Sequence, residues 1–538
     1  MRLVFILPNM RKLILFTLTF FSCALCHGQI DFIESSDLPL FVITTEDSND
    51  IPDEPKVAAH LSIIYNGLGN RNHIQDIANE YDGRIAIEKR GNGSLARAKN
   101  SYSFETQMSD GENNNVSLLG FPSENDWILY APETDKSLMR NVLVYELARK
   151  MGHYAPRVQF CEVIVNEAYL GIFVFMEKIK RDKNRVDITP FEDEQQRPED
   201  GGFIVRIDSW WSPSMGWEAT PYDYNGSERH ILYQHVYPKP DEITDEQASY
   251  IKKKFDDFEA AMFQVNEKNQ ELAYKDFIDV NSLADYILIN EFTRNPDAYR
   301  LSTFMHKDAD EEDPLIKFGP VWDYNFGFGN YCCGEHEHSE DWTYDNTWWK
   351  FPSQIPFWFA KIMNDPNFVS IMHQRWQHWR TELISCEKYI DQIDQWAEVV
   401  DEAKERNFAK WPILGTNVIW DWNAGPSYTD ETDFLKEWIC ERILWMDEKL
   451  EDLDQALLGG SDFTFPNPSG SIFTYNFNAA SSGVKAIEIY NAAGNRVYRK
   501  KVSVSEGFNQ IEFEDLDQSP GIYFLKLEGQ AFQKLLIH

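Results

Sequence analysis

Apolar and polar positions alternate in the first third of the chain and recur at helical spacing through much of the rest. Period-two runs at Leu61 to Ile64, Arg84 to Ile87 and Tyr102 to Glu105 predict strands, because successive side chains of extended backbone face opposite sides. Leu138, Val142, Tyr145, Leu147 and Ala148 then repeat at helical spacing, which predicts a helix from about Lys136 to Lys150 that stops at Gly152. Two more strands, Val158 to Val165 and Leu170 to Met176, flank the turn Asn166-Glu167-Ala168. Helical periodicity dominates Asp245 to Phe263, Val280 to Phe292 and Phe368 to Leu453, with a break near Pro412-Ile413-Leu414-Gly415. A β-rich front followed by a helical rear is an α+β plan, not a series of βαβ units. Front and rear are expected to meet in a cleft, a common place for ligands.

The two ends differ from this body. Arg11 and Lys12 precede the apolar run Leu13 to Phe21, which gives way to small and polar residues from Ser22 to Gln29. That order predicts a secretory signal peptide over residues 1–28, since the run is shorter than the ~20 residues a bilayer span needs. Cys26 after Ala24-Leu25 matches a lipoprotein acceptor poorly, so simple cleavage is expected. No other stretch is apolar enough to predict a transmembrane segment in the mature chain. At the far end, Gly459-Gly460-Ser461-Asp462 punctuates the sequence, and the tail from Phe463 to His538 lacks Trp and Cys. Its alternation, as in Val484 to Tyr490 before the turn Asn491 to Asn495, predicts a small C-terminal β-sandwich. The expected division is 1–28, 36–457 and 462–538.

Composition narrows the function. The 538 residues exceed one ordinary domain, and 43% hydrophobic with 14% aromatic residues is too apolar for a disordered acidic chain. With 51 Lys+Arg against 87 Asp+Glu, the net charge of -36 argues against a nucleic-acid partner, whose phosphates call for exposed cations. It suits solubility outside the cell, or attraction of a basic protein. Beyond the leader, Cys161, Cys332, Cys333, Cys386 and Cys440 are too few and too widely spaced for a disulfide framework, although they leave room for one or two bridges.

Candidate chemistry collects in four segments. Gly319-Pro320-Val321-Trp322-Asp323-Tyr324-Asn325-Phe326-Gly327-Phe328-Gly329-Asn330 sets an acid and an amide two residues apart, before two glycines that would let backbone approach a ligand. Hard oxygen donors such as Asp323 and Asn325 suit magnesium, while a plain turn with Asx hydrogen bonds accounts for the segment equally well. Asp297 follows a helix and Pro296, on a loop where a carboxylate could orient a hydroxyl or merely cap and salt-bridge. The turn Arg90-Gly91-Asn92-Gly93-Ser94, followed by a strand bearing Lys99, has the parts of a phosphate site, although such turns are abundant. Glu177 heads the basic run Lys178 to Arg185, either a solvated surface or a site for phosphates or an acidic partner. Glu335-His336-Glu337-His338 fits no standard zinc spacing, and Trp376, Trp379, Trp396 and Trp411 read as core in preference to a sugar platform. No Ser-His-Asp order, glycosidase acid pair or HExxH motif stands out.

In this order, and across roughly Leu38 to Leu450, the segments resemble the CotH kinase family, named for spore-coat protein H. The match rests on Ile51 to Lys56, Tyr81-Asp82-Gly83, Arg90-Gly91, Ser117 to Gly120, Asn125 to Pro132, Leu138 to Asn141, Met151 to Arg157, Glu177 to Ile188, Asn295 to Ser302 and Gly319 to Asn330. The resemblance implies an atypical protein-kinase-like body that binds ATP and magnesium and transfers the γ-phosphoryl group to Ser/Thr of protein substrates, here basic, Ser/Thr-rich ones. On it, Lys99 resembles the phosphate-binding lysine, Glu146 its ion-pair partner on the helix, and Asp297 the catalytic-loop acid. Asp323 with Asn325 would hold the metal, and Glu177 is carried as a further nucleotide-site residue. Two positions depart from the pattern: Asn100 stands where the family often has a second lysine, and Ser302 where a typical kinase has a metal-binding Asn.

The tail resembles the C-terminal sorting domain of the type IX secretion system of Bacteroidetes, on Pro466-Asn467-Pro468, Ile489 to Gly494, Leu516, Pro520 to Phe524 and Lys534 to Ile537. With the leader, this implies passage through the periplasm to secretion or surface attachment, with the type IX machinery as a partner. The alternatives are a non-catalytic surface adhesin or scaffold that keeps the fold and, suggested by the 17 Trp alone, a carbohydrate-binding protein.

Overall fold

The computed structural model describes residues 33–457 except 92, 192–199, 210–215, 221–230, 265–272, 332–336, 345–354 and 419–424. In the tail it describes 463–465, 473–479, 481–505, 507–513, 519–530 and 532–537. The expected signal peptide, the 459–462 punctuation, Pro466-Asn467-Pro468, Leu516 and the Cys332 to His336 stretch lie outside the described residues. No helix among the described residues is long and apolar enough to cross a membrane.

Alternation in the front produces a closed barrel. Its strands are β1 (Leu40–Thr45), β2 (Val57–Ile64), β3 (Tyr81–Arg90), β4 (Ser101–Thr106), β5 (Asp126–Tyr130), β6 (Val158–Val165) and β7 (Ala168–Glu177), in the order β1-β2-β3-β4-β5-β7-β6. Closure comes from β6 lying parallel to β1, with Leu40 beside Glu162. One side chain in two points inward, so Phe41, Leu61, Ile85, Phe104, Trp127, Val163 and Phe175 fill the interior. Phe175 is central, with ring centroids of Phe41, Phe121 and Trp127 5.2, 5.2 and 5.1 Å away. Asn166 and Glu167 both adopt positive φ, which makes the β6–β7 turn tight enough for adjacent antiparallel strands.

The opposite faces of β5, β6 and β7, with Ile128, Phe160, Ile172 and Met176, join the core of the helical rear. Helix α1 (Arg140–Lys150) lies in that shared core. It starts later than its hydrophobic pattern suggests, because residues 135–139 form a loop gathered by Asp135, whose carboxylate accepts from Ser137 N, Ser137 Oγ and Arg140 N. Beyond the barrel runs a five-stranded antiparallel sheet of β8 (Phe203–Ile207), β9 (Gly216–Glu218), β10 (Leu232–Tyr237), β11 (Thr303–Lys307) and β12 (Lys317–Phe318), in the order β9-β10-β8-β11-β12. The rear comprises α2 (Asp245–Gln264), α3 (Val280–Thr293), α4 (Phe357–Ile362), α5 (Pro366–Glu382), α6 (Cys386–Val399), α7 (Asp401–Lys410) and α8 (Tyr428–Leu457). Every residue of α3 from Ser282 to Thr293 is buried, as expected of a helix enclosed on all sides. A disulfide joins Cys386 at the start of α6 to Cys440 on α8, and Cys161 is free and buried in the barrel. The α+β reading of the body therefore stands.

In the tail, β13 (Phe463–Phe465), β14 (Phe473–Ala479) and β17 (Gly507–Phe513) form one sheet. A second holds β15 (Gly483–Asn491), β16 (Arg496–Val504), β18 (Gly521–Leu527) and β19 (Phe532–Ile537). The two share a core separate from those of the body, including Phe473, Tyr475, Ile487, Leu525 and Leu535.

Candidate functional site

The segment after β12 turns sharply at Asp323, which takes a left-handed φ of 66°. A branched-free but non-glycine residue pays for that conformation in steric strain, and such strain gathers at sites of function. Among the described residues eleven non-glycine residues take a positive φ, and five of them, Arg294, Tyr299, Ser302, Asp323 and Phe328, fall in or beside the two segments that carry Asp297 and Asp323.

Helix α1 holds the Asp323 segment by its backbone. Asn141 and Tyr145, one turn apart, meet consecutive amides: Tyr324 N donates to Asn141 Oδ1 at 2.6 Å and Asp323 N to Tyr145 Oη at 3.3 Å. Arg140 Nε donates to the Gly327 carbonyl at 3.1 Å while its Nη1 pairs with the buried Asp135 at 2.6 Å. From the other side, Phe328 N donates to the Thr293 carbonyl at the end of α3, and Tyr324 Oη to Asn290 Oδ1. The two glycines make room for protein, not for a ligand. A Cβ on Gly327 would crowd Thr293 at 3.3 Å, and one on Gly329 would strike the Trp438 indole at 2.6 Å.

Asn295 ties the two acid-bearing segments together. Its Nδ2 donates to the Asp323 carbonyl at 3.2 Å, and its Oδ1 accepts from Asp297 N at 3.3 Å. Asp297 and Asp323 consequently lie close enough to repel. The Asp323 carboxyl is pushed up to about 6, first by the surrounding protein and then by the Asp297 charge, with Arg90 opposing. Burial also raises Asp297, against the pull of its ion-pair partner Arg300. Asp208, just after β8, adds a third negative charge felt by both. Asp323 itself is open to water, although protein crowds around it closely enough to disfavour its charge. Among the described residues its carboxylate accepts no hydrogen bond and forms no ion pair.

A divalent cation fits this donor set, because it would relieve the repulsion between acids that otherwise drives protonation. Asn325 has its Nδ2 tethered to Thr134 Oγ1 at 2.9 Å, which leaves its amide oxygen as the end able to ligate. No three His, Cys, Asp or Glu side chains among the described residues converge as a metal cage. Oxygen donors of this kind suit magnesium, which keeps waters and shares phosphate oxygens.

Other expected site residues stand elsewhere. Lys99 precedes β4 and turns into the interior, where its Nζ donates to the Ile172 carbonyl at 2.6 Å and to Asn407 Oδ1 on α7 at 2.8 Å, over the Phe173 ring. Burial lowers it to about 7. Glu146 does not pair with Lys99: it accepts from Gln392 and Trp396 of α6, because its place on α1 faces the helices. Glu177 is buried and satisfied by Arg157 Nη1 at 2.7 Å and Arg157 N at 3.0 Å, with Arg185 Nε at 3.9 Å. Much of the basic run is likewise spent internally, with Lys178 and Lys180 on Asp126 and Arg185 over the Trp127 ring. The indole N–H groups of Trp376, Trp379, Trp396 and Trp411 donate to Asp447, Asp285, Glu146 and the Leu170 carbonyl, so these rings brace helices. Sequence reasoning passed over Arg97 and Asp208, took Tyr145 only as an apolar helix position, and noted Arg90 only as part of the turn before Lys99.

Among curated proteins none matches the chain. The family described as secretion system C-terminal sorting domain matches residues 464–538, and such a tail directs the protein by type IX secretion to the cell surface or the extracellular space. The family described as CotH kinase protein matches residues 87–446, which takes in Asp297, Asp323 and the elements that hold them. With more than half of its length inside that match, the chain belongs to the CotH kinase family.

Proposed function

We propose that the body, over about residues 36–457, is a secreted kinase-like phosphotransferase that uses ATP and magnesium to modify Ser/Thr hydroxyls of basic proteins, and that residues 462–538 serve its export. The observation that carries this reading is a solvent-touching, unpaired Asp323 carboxylate held beside Asp297 through one shared amide, Asn295. Asp297, oriented by Arg300, accepts the proton of the acceptor hydroxyl as its oxygen forms a bond to the γ-phosphorus. The bond from that phosphorus to the β,γ-bridging oxygen breaks, and ADP leaves. Magnesium bound by Asp323 and Asn325 would supply charge neutralisation on the phosphates. The rigid grip of α1 and α3 on the Asp323 segment fixes those donors before substrate arrives, which is where catalysis of phosphoryl transfer mostly resides.

A second reading, a non-catalytic surface scaffold, draws support from Lys99, tied into the interior, and Glu146, held against α6, which do not pair with each other. Incubation of the purified protein with labelled ATP, magnesium and a basic Ser-rich protein decides between the two. Kinase action predicts label that falls at least ~100-fold in Asp323→Ala and Asp297→Asn. Equal label in wild type and both variants would remove these acids from the mechanism, and absence of ATP binding would leave the scaffold.

A further inference from the structure

A triphosphate needs fixed positive charge, and Lys99 is badly placed to provide it. Two of its three donors are committed to Ile172 and Asn407, and burial brings its ammonium close to neutrality at ordinary pH. Two arginines stand beside Asp323 instead. Arg90, the last residue of β3, lays its guanidinium over the Trp322 ring at 5.2 Å. Trp322 in turn stacks on Tyr145, whose hydroxyl takes the Asp323 amide. Among the described residues the Arg90 guanidinium makes neither a hydrogen bond nor an ion pair, although Asp323 lies within electrostatic reach. An arginine surrounded by protein, beside acids, with its five N–H donors unspent, is primed for a ligand that brings its own oxygens.

Arg97 repeats the pattern on the loop that follows. Its Nη1 is shielded from solvent and has no hydrogen-bond partner, and its charge acts on Asp323, Tyr130 and Glu133. A buried N–H without a partner is costly, so its persistence calls for an explanation. Both arginines act on Asp323, and the turn and loop that carry them are pinned locally. Gly91 adopts φ 134°, where a Cβ would fall 1.9 Å from Ser94 Oγ, and Asn100 Nδ2 donates to the carbonyls of Ser94, Leu95 and Arg97. Asn100, the residue that stands in place of a second lysine, thus ties down the loop that carries Arg97.

We infer that Arg90 and Arg97 form the polyphosphate-binding site of this chain, gripping the anionic oxygens of a nucleoside triphosphate next to Asp323, while Lys99 is a structural tie between β7 and α7. The inference rests on the proposed ATP reading only for the identity of the ligand; the pair itself is a site for any linear polyphosphate. Guanidinium keeps its charge at every physiological pH and binds two phosphate oxygens at once, which an ammonium does not.

Calorimetric titration of the full chain with ATP, AMP and inorganic triphosphate tests it, using Arg90→Gln, Arg97→Gln, Lys99→Met and the wild type, with melting curves to confirm folding. The expected result is a loss of at least ~10-fold in affinity for ATP and triphosphate in each arginine variant, a much smaller change for AMP, and unchanged affinity in Lys99→Met despite a lower melting temperature. Arg90→Lys should recover part of the loss, which a purely structural role would not produce. If wild type binds ATP and both arginine variants bind it equally well, the site assignment fails while the kinase reading stands. If wild type binds triphosphate but not ATP, the kinase reading fails and the arginine site stands; if it binds neither, the arginine site is overturned.

Discussion

At the scale of the residue, Asp323 is a carboxylate kept in conflict with its surroundings. Its folded pKa of about 6 lies above the ordinary 3.8, so the folded chain holds that proton more tightly than the unfolded one. The stability this confers is full below about 3.8 and is lost as pH rises through about 6, so at neutral pH the ionised group works against the fold. Asp323→Asn should accordingly raise the melting temperature at pH 7 by ~1–3 °C and leave it unchanged at pH 4. The same titration sets ligand binding: magnesium-dependent ATP affinity of the wild type should climb between pH 5 and 7 and then level off, as calorimetry across that range would reveal. A flat profile would show that Asp323 does not hold the ion. Lys99 teaches the opposite lesson. A lysine after a glycine turn looks the same in sequence whether it enters a cleft or caps a strand carbonyl, and its partner Asn407 lies more than three hundred positions away. Arg90 was visible all along, but nothing local said that it would lack an acid.

At the scale of the element, periodicity located the long helices and five of the twelve body strands named above, because each of those buries one face and must repeat to do so, while Leu40–Thr45, Asp126–Tyr130 and the whole second sheet went unread. The closure of the barrel was not legible: it depends on β6 lying parallel to β1, a pairing set by the return of the chain across more than one hundred residues. Nor was the role of α1, where Arg140 and Asn141 beside the apolar pattern, and the hydroxyl of Tyr145 within it, hold the Asp323 segment. The Asp135–Arg140 pair under that grip is fully buried, so removing the acid strands a charge in the interior. Asp135→Ala should cost ~3–5 kcal/mol in urea titrations, and its ATP affinity should fall with the loss of fixed geometry at Gly327. The Cys386–Cys440 bridge closes a loop of 54 residues between α6 and α8. Chain entropy puts its contribution at ~4 kcal/mol, so the double Cys386→Ser, Cys440→Ser variant should melt well below the wild type and no longer respond to a reducing agent. Equal melting of the two would mean that helix packing alone fixes α8.

At the scale of the whole molecule, charge and core divide the chain at the same place. Residues 464–538 hold seven Lys+Arg and seven Asp+Glu, so the entire net charge of -36 belongs to the residues before them. On the proposed kinase reading, an acidic body would favour encounter with basic acceptors, and that attraction should weaken as salt shortens its range to ~8 Å near physiological ionic strength. The tail contributes neither charge nor core to this: its buried cluster contains no residue of the body, and no residue of the Asp297–Asp323 site lies within it. Physical independence of this kind is what a removable address requires, since detaching it must not expose or unfold the cargo. Deletion of residues 464–538 should therefore leave the melting transition of the body within ~2 °C and its magnesium–ATP affinity unchanged, while the protein is retained in the periplasm of a host that exports by the type IX route. Fractionation and calorimetry of the truncated chain would read both effects together. A truncated body that melts early or loses ATP would show that the tail is part of the working fold, and the division drawn here from charge and core would have to be given up.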